Sequence, residues 1–261
     1  MLPLLLLKLT LVPCLVAAAA LAGKRFGQSV GGWLIGFPIV AGPVLWFYAH
    51  EQGDAFASRA ALGTALGVVS LCGFLLAYAW AARSMRWAPS LLLGWATFSG
   101  VTLVLASFPH SAEFPLWVAG LLPCLALTLT LRGLPHVPDQ TANAVPRLDL
   151  GARMLMTGLL VLTLTSLAPI LGPVLSGLFS PFPVATTILV VFAHREQGPA
   201  GVLAVYDGFI PSLYSFVAFS VALSFALARW ATLASFAFAL VICAISQSLV
   251  FARLALRAPR Q

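Results

Sequence analysis

The chain repeats itself at a fixed offset of 145 residues. The matching motifs are Phe37-Pro38 and Glu51-Gln52-Gly53 in the first copy, and Phe182-Pro183 and Glu196-Gln197-Gly198 in the second. Between residues 27 and 63 the offset never slips, and ten of the 37 positions are identical. Unrelated apolar segments would not stay in register over that length. Membrane proteins with internal repeats place their substrate site where the copies meet, so the repeat constrains both the fold and the site.

The composition is that of a membrane protein. Of the 261 residues, 61% are hydrophobic and only 8% are charged, too few charges to cover a water-soluble domain of this size. The net charge of +7 comes from basic residues in short gaps between apolar runs, which argues against a nucleic-acid partner. No cysteine or histidine spacing predicts a metal site, and no cofactor is predicted.

Nine apolar stretches approach the roughly 20 residues that cross a bilayer as a helix. They cover about residues 4–22, 29–49, 56–82, 88–107, 113–132, 152–171, 173–194, 201–227 and 231–252. We therefore predict an all-α polytopic membrane protein with two four-helix repeats joined by a linker helix. The predicted units are repeat A at 1–107, the linker helix and its loop at 108–150, and repeat B at 151–261.

Basic residues predict the orientation of these helices. With the N-terminus outside, eleven lysines and arginines fall in cytoplasmic gaps and two, Arg59 and Arg229, fall outside, as the positive-inside rule requires. The single linker helix then inverts the second copy. The Glu-Gln-Gly turns at Gly53 and Gly198 are predicted to face opposite compartments.

Both Phe-Pro pairs are predicted to interrupt a helix near mid-membrane, because proline removes a backbone hydrogen bond there. Interrupted helices at matching repeat positions indicate a binding site. We therefore predict a substrate site at Phe37, Pro38, Phe182 and Pro183. The alternative is that these prolines are packing kinks.

Polar residues end both interrupted helices. The gate or proton-handling candidates are His50, Glu51, Gln52, His194, Glu196 and Gln197. Histidine titrates near neutral pH, and a desolvated glutamate can do the same. The alternative is a structural turn, since glycine ends helices and polar residues belong at the water interface.

Three further residues are predicted to take part in substrate binding because they are polar and lie within or near apolar runs. Tyr206 and Asp207 fall in the eighth stretch, where an acid needs a partner or a water-filled cavity. Arg59 lies in the third stretch as a possible counter-ion, although an arginine near a helix end can also extend to the interface. At the matching repeat positions the chain has Leu62 for Asp207 and Ala204 for Arg59.

Known membrane-enzyme patterns are incomplete. A second intramembrane aspartate to pair with Asp207 is missing, so an aspartyl protease cannot be built. Thr97-Phe98-Ser99-Gly100 lacks the first glycine of a rhomboid-type site. A weaker enzyme hypothesis would use His50, Glu51, His194 and Glu196. We predict no enzyme activity.

The segment Gly177-Leu178-Phe179-Ser180-Pro181-Phe182-Pro183 with Phe192-Ala193-His194 resembles the small GlpM-like inner-membrane proteins. Gly36-Phe37-Pro38 with Ala49-His50 is a weaker match. Those proteins look like a single four-helix copy, so this chain resembles a fused duplication of one. The resemblance implies a bacterial inner membrane and a role in envelope precursor supply.

Two functions remain open at this point. The first is a secondary carrier for a small solute or lipid precursor, working by alternating access between inverted repeats. The second is a non-transport accessory or scaffold component of envelope polysaccharide or lipid assembly. Besides the lipid bilayer, a second copy of the chain or an envelope-assembly protein is a possible partner.

Overall fold

The computed structural model describes residues 10–15, 17–18, 21, 25, 37–108, 116–134 and 148–257. From residue 37 onward this part contains seven helices and no strands. They are α1 (Ala41–Gln52), α2 (Asp54–Ala81), α3 (Trp87–Ser107), α4 (Leu116–Gly133), α5 (Leu148–Phe179), α6 (Val184–Leu227) and α7 (Thr232–Arg257). Residues 10–15 and 17–18 are also helical. Most of the first predicted stretch and the beginning of the second lie outside the described residues.

The helices are those of a multi-pass membrane protein. Within the described part, five are long and apolar enough to cross a bilayer: Asp54–Ala81, Trp87–Ser107, Thr157–Phe179, Thr186–Leu227 and Thr232–Val250. Val118–Gly133 is a shorter apolar helix. The predicted all-α membrane class is confirmed.

Three glycines turn the main chain. Gly53, Gly172 and Gly198 have φ angles of 88°, 73° and 63°, which residues with a side chain rarely adopt. Gly53 separates α1 from α2, and the other two divide α5 and α6 into two pieces each. The predicted structural turns at Gly53 and Gly198 are therefore present.

At Gly198 the chain folds back on itself. A Cβ atom added at Gly201 would lie 2.5 Å from the carbonyl oxygen of Ala193, although eight residues of straight helix would separate these positions by about 12 Å. Tyr48 and Phe56 stand 145 residues before Ala193 and Gly201, and their rings lie 5.5 Å apart across Gly53. Residue pairs at matching positions of the two repeats thus meet across both glycine turns.

The two turns lie at opposite ends of the bundle. Gly53 precedes the first residue of α2, whereas Gly198 shares a groove with Ser84 and Arg86, just beyond the last residue of α2. The 28 residues of α2 give a length of about 42 Å. We call these the Gly53 end and the Gly198 end.

Helices α2 and α6 form the centre of the bundle. Their membrane-spanning windows are 72% and 67% buried, against 22% for α3 and 28% for α7. Exposed leucines and valines cover the outer face of α3, α4 and α7, as expected of surfaces that meet lipid. Because α2 contacts α5 and α6 as well as α3, the two halves interleave as one body.

A close crossing fixes the short helical piece at residues 173–179 against α2. A Cβ atom at Gly177 would overlap the carbonyl oxygen of Ala60 and lie 2.9 Å from the Cα of Gly63. Glycine on both helices permits this backbone approach, which is a common membrane packing mode. The crossing positions the Phe182-Pro183 turn that follows.

Candidate functional site

Residues of both Phe-Pro pairs border one cavity of about 50 Å³. Phe37 reaches it from the first half, and Phe182 and Pro183 reach it from the second. Thr157 and Leu160 of α5 and Phe209 of α6 complete much of its wall. The structure therefore brings the two predicted interruptions together. Pro38 is buried but is not among the residues that line the cavity.

The two Phe-Pro turns have the same hydrogen bonds. Ile39 N–H donates to the Phe37 carbonyl at 2.7 Å, and Val184 N–H donates to the Phe182 carbonyl at 2.8 Å. Bonds between residues two apart define a γ-turn, here centred on proline, with φ −77° and ψ 48° at Pro183.

A helical segment begins after each turn. Gly42 N–H donates to the Pro38 carbonyl at 2.8 Å, and Thr187 N–H donates to the Pro183 carbonyl at 2.7 Å. Neither helix has a side-chain cap at this end. The stretch predicted as one helix at 173–194 is therefore two pieces, interrupted at residues 180–183. Two uncapped helix N-termini, which carry positive partial charge, start beside the cavity.

Hydroxyl groups supply the polar part of this region. Thr157 and Ser180 line the cavity and are buried, and the Thr157 hydroxyl has no hydrogen-bond partner. Nearby, the Tyr48 hydroxyl faces the Ser176 and Ser180 hydroxyls without a well-formed hydrogen bond. Buried hydroxyls without partners are rare and are suited to bind water or a ligand.

The turn residues of the two copies have different surroundings. At the Gly53 end, His50, Glu51 and Gln52 are all exposed. At the Gly198 end, Glu196 is exposed and the Gln197 amide is buried without a partner.

His194, also at the Gly198 end, is buried, and its Nδ1 lies 3.2 Å from the Tyr78 hydroxyl. The aromatic rings of Tyr78 and His194 are 5.7 Å apart, nearly perpendicular. Tyr78 was not predicted as a site residue, because nothing in the sequence distinguishes it from other aromatic residues of α2.

Three predicted site residues lie away from the central cavity. Tyr206 is fully buried in the core with an unpaired hydroxyl, and Asp207 beside it is exposed. Arg59 is exposed at the Gly53 end, in a groove with Leu171 and Pro173. None of the three lines the cavity at the Phe-Pro turns.

The geometry does not assemble an enzyme site from the turn residues. His50 and Glu51 lie at the Gly53 end and His194 and Glu196 at the Gly198 end, so the four side chains cannot meet. Among the described residues, no three of His, Cys, Asp and Glu are grouped as a metal site would need.

In comparisons with protein-family models, curated proteins and solved structures, nothing matches the chain. The resemblance to GlpM-like proteins stays a prediction.

Proposed function

We propose that the protein is a secondary carrier whose substrate passes between the two Phe-Pro turns. One observation carries the proposal: turns from both halves, with the same hydrogen bonds, border a single cavity inside a bundle of membrane helices. Broken helices that meet at the membrane centre are a recurring design of substrate sites in carriers.

The proposed architecture is a pair of inverted four-helix repeats with nine crossings and a linker helix. Its support is the placement of Gly53 and Gly198 at opposite ends of α2, together with the matched Phe-Pro turns. Alternating access would then exchange the conformations of the two halves around the cavity.

Basic residues support a direction for the bundle. Arg83, Arg86 and Arg195 lie at the Gly198 end, and Arg132 ends α4 close to Trp80 of the same end. Arg59 and Arg229 lie at the Gly53 end. We therefore assign the Gly198 end to the cytoplasm, the N-terminus to the outside and the C-terminus to the inside. A bacterial inner membrane is part of the proposal and rests on the GlpM-like resemblance.

The cavity favours a solute with a negatively charged or hydrogen-bond-accepting group. Two helix N-termini begin beside it, and the nearby polar side chains are hydroxyls, which both donate and accept. Its present volume of about 50 Å³ holds a few water molecules. In the carrier hypothesis the cavity widens when one end opens, and a solute or lipid precursor enters only then.

The same volume favours a second candidate function. A small, largely apolar centre is what an accessory or scaffold component of envelope polysaccharide or lipid assembly would have. In that case the polar turns at the ends would bind partner proteins or a second copy of the chain, and the centre would stay closed.

Cysteine accessibility separates the two. In a background in which the four native cysteines are replaced by serine, Ser180→Cys places a thiol at the cavity wall, and Ser215→Cys places one at a buried α6 position outside it. A carrier should expose residue 180, but not 215, to a small water-soluble thiol reagent in membrane vesicles. Protection of both thiols under all conditions would favour the scaffold.

A further inference from the structure

An open groove of about 450 Å³ lies at the Gly198 end. Its walls come from the turn between α2 and α3, with Ser84, Arg86 and Trp87, and from the hairpin of α6, with His194 and Arg195. We propose that this groove binds a phosphate group. The proposal is independent of transport, because a scaffold protein could bind the same ligand there.

Arg195 lies in the groove, exposed, near two aromatic rings. Its guanidinium carbon lies 5.9 Å from the ring centroid of Trp87 and 5.9 Å from that of Phe192. Both distances are at the limit of a cation–π contact. The planar fork of an arginine matches two phosphate oxygens.

His194 is the buried polar group of the groove. Its Nδ1 is engaged by the Tyr78 hydroxyl at 3.2 Å, and both side chains are buried. Because Nδ1 is occupied, the other edge of the imidazole, with Nε2, is the part left to meet a ligand. The two arginines and the Ser84 hydroxyl supply donors for an oxyanion, and the His194 imidazole adds one when Nε2 carries a proton.

Among the described residues that line the groove, the two arginines carry its fixed charge. None of the described residues that line it is acidic; Glu196, the nearest acid along the chain, is exposed and outside the lining set. Two guanidinium groups that line one opening attract a dianion more strongly than a neutral solute.

The repeat shows that the basic residues of the groove occur at one end of the bundle only. The residues of the Gly53 end that match Arg86, Trp87 and Arg195 are Ala231, Thr232 and His50. At that end Thr232 donates its hydroxyl proton to the Asp54 carboxylate at 2.9 Å. A basic groove is therefore a departure from the duplicated scaffold rather than a consequence of it.

The groove lies where the helices leave the membrane, and Trp80 and Trp87 are both exposed there, as tryptophans at a membrane interface are. The phosphate could belong to a lipid headgroup or to a water-soluble ion or metabolite. Both sources share the same recognition chemistry, and the experiment distinguishes them.

Binding is measured on the full-length purified protein with two ³²P-labelled probes, inorganic phosphate and short-chain phosphatidic acid, with short-chain diacylglycerol as a phosphate-free competitor. Saturation by phosphate, competed by glycerol phosphate, identifies a soluble ligand. Saturation by phosphatidic acid alone, not competed by diacylglycerol, identifies a lipid headgroup. Either result supports the site.

Variants locate the binding. Arg86→Gln and Arg195→Gln should each weaken affinity about tenfold, or about 1.4 kcal/mol. Arg195→Lys keeps the charge but loses the planar fork, so its affinity should lie between those of the wild type and Arg195→Gln. Arg83→Gln is the matched control, because it removes the same charge from the same turn outside the groove, where Arg83 stacks 4.8 Å from the Trp80 centroid. It should change affinity less than twofold.

Equal losses in all three glutamine variants, or saturation by neither probe, would overturn the proposal. Elution profile and melting temperature establish that each variant is folded. If one groove variant fails to fold, the affinity of the other is compared with that of Arg83→Gln. Cysteine labelling at residue 180 does not depend on these arginines, so a failure of the carrier hypothesis and a failure of the phosphate site are seen separately.

Discussion

Gly177→Ala is the substitution that most directly tests how the interrupted helix is held. The new methyl group would overlap the carbonyl oxygen of Ala60 and lie 2.9 Å from the Cα of Gly63. Both obstacles are backbone, so the two helices must separate by about 1 Å, and overpacking of this kind costs about 1–3 kcal/mol. Intrinsic helix propensity acts in the opposite direction by at most about 1 kcal/mol. Subtracting a propensity gain of about 1 kcal/mol leaves an expected net loss of about 0–2 kcal/mol.

The assay is reversible denaturation of the purified protein in detergent micelles, followed by circular dichroism. Gly100→Ala is the control, because it lies in α3 with no atom within 4 Å of the added Cβ. It should be neutral or stabilising by up to about 1 kcal/mol. If Gly177→Ala proves as stable as Gly100→Ala, the close crossing of residues 173–179 with α2 is wrong, and so is the position it gives to the Phe182-Pro183 turn.

Two further predictions concern the ends of the bundle. Cysteines introduced at Glu51 and Glu196, which are both exposed, should react with a membrane-impermeant reagent from opposite sides, since their turns lie at opposite ends of α2; labelling from the same side would refute the inverted arrangement. Tyr78→Phe should lower the free energy of unfolding by about 1–3 kcal/mol, because it leaves the buried Nδ1 of His194 without its partner. Tyr206→Phe is the control and should be neutral or stabilising, since the buried hydroxyl that it removes has no partner. Equal losses of unfolding free energy in the two variants would show that the Tyr78 hydroxyl has no special role.

The sequence was sufficient to predict the features that depend on local backbone chemistry. Proline at 38 and 183 blocks a helical hydrogen bond wherever it stands, and glycine at 53 and 198 tolerates a positive φ. Apolar runs of membrane length must form helices because lipid offers no hydrogen bonds. These constraints act within a few residues, so a single sequence reveals them.

The side-chain pairs between helices could not be predicted in this way. Tyr78 and His194 are 116 residues apart, and their contact depends on how α2 rotates against the α6 hairpin. Hydropathy does not specify that rotation. The same limit applies to Asp207. The free-energy cost of placing a carboxylate in lipid suggested a site inside the bundle, but the rotation of α6 leaves Asp207 exposed and away from the cavity.

The repeat still contributes one argument that neither copy gives alone, because it shows which cross-links are specific to one end. At the Gly53 end, Asp54 accepts from Thr232 at 2.9 Å and the Ser58 hydroxyl donates to the Ser224 carbonyl at 2.9 Å. The matching positions at the Gly198 end are Pro199, Trp87, Leu203 and Ala79, none of which can reproduce these side-chain bonds.

At the Gly198 end the halves are linked instead by Tyr78 and His194, and His194 also lines the basic groove. A ligand that bonds to His194 would therefore act on a contact between the halves, whereas Arg59 at the other end takes no part in the Asp54 or Ser58 links. If the protein alternates between two states, the Gly198 end is the one whose opening an anion in the groove would control.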